Sequence, residues 1–514
     1  QTKIVDSPAR TMGDLVEYYV PGMMMGRHEY GGGLVAARGI MVDNNAKTLL
    51  LLGGQNINQR GHLGSELEWK VPLMGDVASI EVINGPNAIV HGSGAISGLV
   101  NMIPKNGTDY QGWSASTEYG FVDQLKKAEL GYGYSYGEGR DVYAYLGWVT
   151  ASGINAHADT WPDSFNALRG RSTGEAGDID DGEKVQGFPQ DNFKFTLNWN
   201  HDQFKLLALF EDYHATFDGP DDDHATREAE LLAASPWLTG LATDDIDNSN
   251  EPTLNVTKLS IGPEYTIELT DTLSLDLKGS IQYMQHSYDN TIYMEDWSTG
   301  SGYAYFLDGE KEGGRENHFG IKTILKSTAI NRHSIALGTE FGRREFKQND
   351  TWFHGKVDAE RGEYVNMHWR ETSLFGEDVI ELTDRWQFSA GVRHDEFNYS
   401  DVSLYYTQKG LGVSEKSVKD LQNTSYRLAT SYEVDDTATV KLMYSEGFRA
   451  PDAGYWARHA LFDVLANSKA TPFDLPDLKP EEMTTTELNF IKEFPKEHLR
   501  TTVNVYENAY KQTL

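Results

Sequence analysis

The chain has 514 residues, too many for one ordinary hydrophobic core, and 77 acidic against 45 basic side chains give it a formal net charge of −32. That charge argues against nucleic acid as a partner and against a polybasic membrane patch, and the lack of cysteine removes disulfides and thiolate metal centres. No apolar run approaches the ~18 residues of a spanning helix, which leaves open a wall of strands in which every second residue faces lipid. With 50 glycines, 27 tyrosines and 11 tryptophans over many short alternating segments, the composition points to an all-β protein.

In chain order, Met12 to Gly22 reads as a short amphipathic helix stopped by Pro21-Gly22. Ala46 to Gly53 reads as a buried strand. Ser79 to Lys105 reads as two strands around a glycine-rich turn. Ile80, Val82 and Ile83 flank Glu81, Gly85-Pro86 breaks the run, and Gly92, Gly94 and Gly98 permit tight backbone turns before Leu99–Ile103 resumes. The turn fits neither G-x-G-x-x-G opening a helix nor a phosphate-binding P-loop.

Ser79–Lys105 resembles the plug-domain signature of TonB-dependent outer-membrane receptors, carried by Glu81, Gly85, Pro86, Gly92, Gly94, Gly98 and Asn101. The family's usual Arg is Asn84 here and its usual Tyr is His91, so the charge contacts that the Arg makes to the barrel wall are in question. Ala37-Arg38-Gly39-Ile40 resembles the family's Ile-Arg-Gly strand, and Thr48–Ile57 its Leu-Val-Leu-x-Asp-Gly strand and turn, with Gly53 in place of Asp. The resemblance implies a plug over residues 1–108 and a transmembrane β-barrel over 109–514. No TonB-binding box precedes the plug, and residue 1 is Gln without a signal peptide, which reads as a mature or trimmed chain.

Beyond Gln111, period-2 segments recur. Phe193, Phe195, Leu197 and Trp199 face one way, and Lys194, Thr196 and Asn198 the other; Thr272–Tyr283 and Ala438–Ser445 alternate as cleanly. A soluble sandwich would show the same alternation. Connection length separates the two. Short polar turns near Gly137–Arg140, Asn200–Asp202, Leu269–Asp271, Asn331–Arg332, Thr383–Arg385, Asp435–Thr437 and Phe494–Glu497 alternate with long connections. The long ones are 151–190, 218–252, 290–312, 349–364, 401–421 and 450–482, as in an up-and-down outer-membrane barrel. About fifteen strands are expected here. An even, closed barrel with a plug has roughly 22, so further C-terminal strands are expected outside this chain.

Phe448-Arg449-Ala450-Pro451 and Leu475-Pro476-Asp477-Leu478-Lys479-Pro480-Glu481 flank one long loop. They resemble paired barrel motifs of TonB-dependent receptors, best described in haem receptors. His62 in the plug and His459 in the loop, with Arg458, resemble the axial pair of those receptors, and Tyr455 and Trp456 are placed to stack on a macrocycle. The plainer alternative is two ordinary loop histidines; His28 and His91 are weaker candidates. Acidic clusters at 178–183 and 218–224 offer oxygen ligands for Ca²⁺ without matching a calcium loop, and also suit solvated outer loops. No H-E-x-x-H is present and no spacing singles out a pair among the many carboxylates, so no enzyme is expected.

The resemblance implies TonB-dependent transport of a scarce solute across the bacterial outer membrane. The cargo expected is an iron complex, a ferric siderophore ahead of haem, with the TonB–ExbB–ExbD complex, outer-membrane lipid and lipopolysaccharide as partners. A passive porin, or an adhesion or phage-receptor barrel, is the alternative.

Overall fold

The computed structural model describes residues 7–27, 33–41, 45–61, 64–121, 123–151, 154–155, 184–185, 188–189, 191–216, 246–247, 253–296, 304–356, 361–407, 418–456 and 478–511. Helix α1 (Met12–Tyr19) starts where the sequence directs. The Thr11 side chain accepts from Asp14 N–H at 3.1 Å, and the Asp14 carboxylate returns to Thr11 N–H at 2.9 Å. Strands β1 (Met23–Arg27) and β2 (Gly33–Ala37) form a hairpin. The strand expected across Ala37–Ile40 is instead a turn. β2 stops at Ala37, and Arg38 and Gly39 take φ of 53° and 81°, which swings the Arg38 side chain outward from the plug.

The centre of the plug is a four-stranded sheet in the order β4, β3, β6, β5, with β3 (Thr48–Leu52), β4 (Gln55–Asn56), β5 (Val77–Asn84) and β6 (Gly98–Pro104). β3 runs parallel to β6 and is buried along its whole length, which is why it reads as unbroken leucine. The glycine-rich stretch is the β5–β6 connection, with a single helical turn, α2 (Ala88–His91). A Cβ on Gly53 would stand 2.7 Å from Leu207 Cδ2 on the wall, and its φ of +55° belongs to a tight turn. Glycine at this position follows from both.

The wall begins with β7 (Gly112–Tyr119), β8 (Lys126–Gly137) and β9 (Arg140–Thr150). It continues through β10 (Asn192–His201), β11 (Phe204–Thr216), β12 (Thr253–Thr270), β13 (Leu273–Asp296), β14 (Ala304–Ser327) and β15 (His333–Lys356). It closes with β16 (Arg361–Thr383), β17 (Trp386–Thr407), β18 (Leu421–Asp435), β19 (Ala438–Arg449), β20 (Glu481–Phe494) and β21 (Leu499–Lys511). Every neighbouring pair from β7 to β21 is antiparallel. The short turns all fall at one end of this meander.

Three expected loops are shorter than predicted. β13 and β14 pair residue for residue out to Asp296 and Ala304, β15 and β16 out to Trp352 and Arg361, and β17 runs to Thr407. A 24-residue strand rises roughly 80 Å, far beyond the hydrocarbon layer. Its far half has no lipid to face and so no apolar alternation to mark it, while backbone pairing continues regardless.

The faces of the wall identify it. Phe193 and Phe195 are exposed (42% and 38%), whereas Lys194 and Thr196 between them are buried (3% and 0%). Likewise Ile281 and Leu442 point out, and Gln282 and Ser445 point in. A soluble sandwich would bury the opposite set. The inward polar groups meet the plug. Asp76 accepts from Lys194 Nζ at 3.0 Å and Thr196 Oγ1 at 2.6 Å. Gln282 donates to Asn56 O, Lys322 to Val90 O, and Lys258 pairs with Glu68. The chain is therefore an antiparallel wall folded around its own N-terminal plug.

Both partners of the Asp76–Lys194 pair are buried. Replacing Lys194 by Met strands a carboxylate and is predicted to cost about 3–5 kcal/mol of plug docking, read as loss of amide protection in β5. Pairing it with Asp76→Leu is predicted to restore most of that protection.

Candidate functional site

The end of the plug nearest the long connections carries a turn closed by mutual Gln59–Gly64 backbone bonds (2.8 and 3.1 Å). The amides of Arg60 and Gly61 both donate to one Glu316 oxygen, at 2.9 and 2.6 Å. Arg344 holds Glu316 at 2.5 Å and Glu371 at 3.2 Å. The Arg60 guanidinium lies 3.6 Å from Glu371 and donates to Ser93 O at 2.8 Å. Two cations and two anions thus tie the plug turn to β14, β15 and β16. A Cβ on Gly61 would stand 2.0 Å from the Phe346 ring, so only glycine seats the turn this deeply.

Beside this cluster lies a cavity of about 30 Å³, room for a water molecule or two, lined in part by Arg60, Ser93, Trp369, Glu371, Tyr399 and Asp452. Aromatic rings surround it. Tyr399 stands 6.4 Å from Trp369 and 5.8 Å edge-on from Trp456. Trp456 is 7% exposed and packs in this aromatic cluster. Tyr455 lies beside it, under the Arg449 guanidinium at 4.9 Å. Of the five proposed ligand contacts, Trp456 packs behind the lining ring of Tyr399 and Tyr455 follows the Arg449 side chain, and neither lines the cavity itself. His62, Arg458 and His459 lie outside the described residues, as do His28, Pro476 and both acidic clusters. Among the described residues no three metal-binding side chains converge.

The signature residues hold the plug together. Asn101 donates to Glu81 at 3.0 Å and accepts from Gly54 N–H at 2.9 Å, which ties β6 to β5 and to the β3–β4 turn. Gly85, Gly92 and Gly94 take φ of 99°, 70° and 93°, and a Cβ on Gly98 would lie 2.6 Å from Ile83 O. Pro86 is buried. The barrel motifs clasp this stretch. Phe448 O accepts from Gly94 N–H at 2.9 Å, and Ala450 N–H donates to Ser93 Oγ at 3.0 Å. Arg449 pairs with Glu481 at 2.9 Å, and plug Lys47 reaches the other Glu481 oxygen at 2.9 Å. Pro451 and Pro480 are buried beside them, and Leu478 packs on the aromatic cluster.

Charge contact between plug and wall does not depend on position 84. Asn84 donates to Pro21 O at 3.4 Å, within the plug. Arg38 supplies the contact, 2.7 Å from Glu487 and stacked over Tyr506 at 4.3 Å. Glu316, Arg344, Glu371 and Glu487 were not singled out by the sequence. Each sits in phase with inward positions, a signal shared by many charged residues.

His91, half-buried on α2, is held neutral. Desolvation first, then the Lys322 ammonium, lower its pKa to about 4. A folded value below the unfolded value of about 6.5 gives stability that is present above pH 6.5 and lost as pH falls toward 4. Amide protection around α2 is predicted to fall by up to about 3 kcal/mol over that window, and His91→Gln to flatten the dependence. Gly61→Ala is predicted to lower protection of the 59–64 turn by about 1–3 kcal/mol at every pH.

The comparisons with known proteins agree with this geometry. Residues 1–99 match the TonB-dependent receptor plug domain, and 199–514 match the TonB-dependent receptor-like β-barrel. The vitamin B12 transporter BtuB of Vibrio vulnificus is 21% identical over 501 residues, covering 96% of this chain and 63% of its own. A probable TonB-dependent siderophore receptor, PirA of Acinetobacter baumannii, is 22% identical over 509 residues, covering 91% and 59%. The chain thus spans about three-fifths of the length of these curated relatives. Among solved structures, the ferric yersiniabactin uptake receptor FyuA of Yersinia pestis superposes with a TM-score of 0.64 at 13% identity, over 99% of this chain and 71% of its own. The copper transporter OprC superposes with a TM-score of 0.65 at 13% identity, over 98% and 69%. With its plug, its outward apolar face and a barrel match over more than half its length, the chain belongs to the TonB-dependent receptors of the outer membrane.

Proposed function

We propose that this receptor imports a ferric siderophore by active transport energised through TonB, ExbB and ExbD. The observation that carries the reading is the aromatic cavity beside Arg60. Trp369, Phe397 and Tyr399 offer apolar ring surface, and Arg60 offers a cation that a chelator's anionic oxygens can recruit from Glu371. The cavity has room for a water molecule or two, so cargo enters by separating the rings. One relative is named as a probable siderophore receptor and one structural neighbour as a ferric yersiniabactin receptor, while another relative is named for vitamin B12. That spread makes iron the leading cargo and leaves the chelator open. A plug filling the lumen weighs against a passive porin. Lipopolysaccharide is the expected neighbour of the lipid-facing wall, and no enzymatic step is proposed.

The test is a panel of ferric siderophores, haemin and cobalamin titrated into purified receptor while tryptophan fluorescence is followed. Saturable quenching by a ferric siderophore, weakened at least roughly tenfold in Arg60→Ala, is predicted. A Soret shift with haemin that is lost in His62→Ala and His459→Ala would instead assign the cargo to haem.

A further inference from the structure

At the end of the wall that carries the short turns, the outward rings pack in two different ways. On β8–β11 they close on one another. Tyr136 OH accepts from Trp199 Nε1 at 2.7 Å and donates to Asn200 O at 3.2 Å. Its ring stacks on His201 at 6.0 Å, and Trp199 meets Phe204 edge-on at 5.6 Å. Arg140 locks the neighbouring turns by gripping both Asp202 oxygens at 2.8 Å.

On β17–β19 the same belt stays open. A groove of about 860 Å³ runs from the β16–β17 turn across the outer face, within the roughly 300–1,000 Å³ of small-molecule sites. Thr383, Asp384 and Arg385 of the turn form one end. The rest is the outward face of three paired strands, in which Trp386 lies opposite Tyr432, Tyr432 opposite Val440 and Thr430 opposite Leu442. The two rings stand at 88° with centroids 6.5 Å apart, so they wall the groove and do not fill it. The indole is pinned, because Trp386 Nε1 donates to Thr430 Oγ1 at 2.7 Å and Thr430 in turn to Gln387 O at 3.1 Å.

The turn is fixed through its backbone and open at its side chains. Glu433 N–H donates to Arg385 O at 2.9 Å, and Arg332 to Leu382 O at 3.3 Å. Charges alternate along the rim, with Arg332 3.2 Å from Asp384 and Arg385 3.1 Å from Asp436. The two carboxylates are 94% and 92% exposed, so these pairs hold little energy and exchange readily for other partners.

We propose that this groove binds one phospholipid of the periplasmic leaflet, with a phosphoethanolamine headgroup. Short turns lie on the periplasmic side of outer-membrane barrels, which puts the groove where headgroup meets acyl chain. Arg385 takes the phosphate and Asp384 the primary ammonium, two charge-assisted contacts of opposite sign from adjacent residues. The acyl chains lie along Val440 and Leu442, and Trp386 and Tyr432, each apolar in body and polar at the tip, bracket the glycerol esters. A choline headgroup has no N–H for Asp384, and a glycerol headgroup has no cation. The site is independent of the cargo.

The test uses the full chain, delipidated in detergent and shown to be folded by heat-modifiable migration on a gel. It is titrated with phosphatidylethanolamine, phosphatidylcholine and phosphatidylglycerol of the same acyl chains, and bound lipid is counted by native mass spectrometry. One phosphatidylethanolamine is expected to be retained ahead of the other two lipids. Arg385→Gln is expected to weaken its retention about fivefold. Asp384→Asn is expected to erase the preference over phosphatidylglycerol. Leu442→Trp, which fills the groove without touching a charge, is expected to displace the lipid. Arg140→Gln, in the closed part of the belt, is expected to leave retention unchanged. Lipid held without headgroup preference, a preference for phosphatidylglycerol, or retention indifferent to Arg385→Gln and Leu442→Trp marks solvating lipid only and overturns the site.

Discussion

The constraint on which everything else depends is the inverted wall. Strands that turn Phe193, Ile281 and Leu442 outward must turn Lys194, Gln282 and Ser445 inward, into a space with little water. Those inward groups need partners, and the plug supplies them. Asp76 meets Lys194, Glu68 meets Lys258, and two plug amides meet Glu316. The wall and the plug are each poorly satisfied alone. Their interface is ionic and hydrogen-bonded where most domain cores are apolar, and such an interface can exchange partners without exposing hydrocarbon to water.

The family signature acquires a physical meaning from this arrangement. Glu81, Asn101 and Gly98 fix the plug sheet, while Gly85, Gly92 and Gly94 let the chain lie flat against β17 and β19. The Phe448–Pro451 motif holds the same stretch from the wall, through Phe448 O and the Ala450 amide. Two motifs more than 350 residues apart in sequence, read separately, are two sides of one contact.

Much of this was legible in the sequence, for reasons that can be named. Strict alternation in Phe193–Trp199 and Ala438–Ser445, with short and long connections in turn, is enough to specify an up-and-down wall. The ends of the strands were not legible, because beyond the lipid the segments 290–312 and 349–364 have no apolar face to report. Arg38 was read as strand and is a turn residue; the positive φ that aims it at Glu487 leaves no mark in composition. Asn84 cast doubt on plug–wall charge contacts that Arg38 and Lys47 provide from elsewhere. The Glu316–Arg344–Glu371 cluster was invisible because its members come from three strands, and only the fold brings them together. Tyr455 and Trp456 were read as ligand contacts beside their motif; Trp456 packs in an aromatic cluster and Tyr455 lies half-buried against Arg449.

The central claim is energised import by a plugged barrel. Its most direct measurement is the accumulation of a radiolabelled ferric siderophore by cells dependent on this receptor, with and without a protonophore. The account predicts that the protonophore abolishes accumulation while binding at the cell surface persists. Accumulation that continues unchanged without proton-motive force would contradict it and return the chain to the passive barrels.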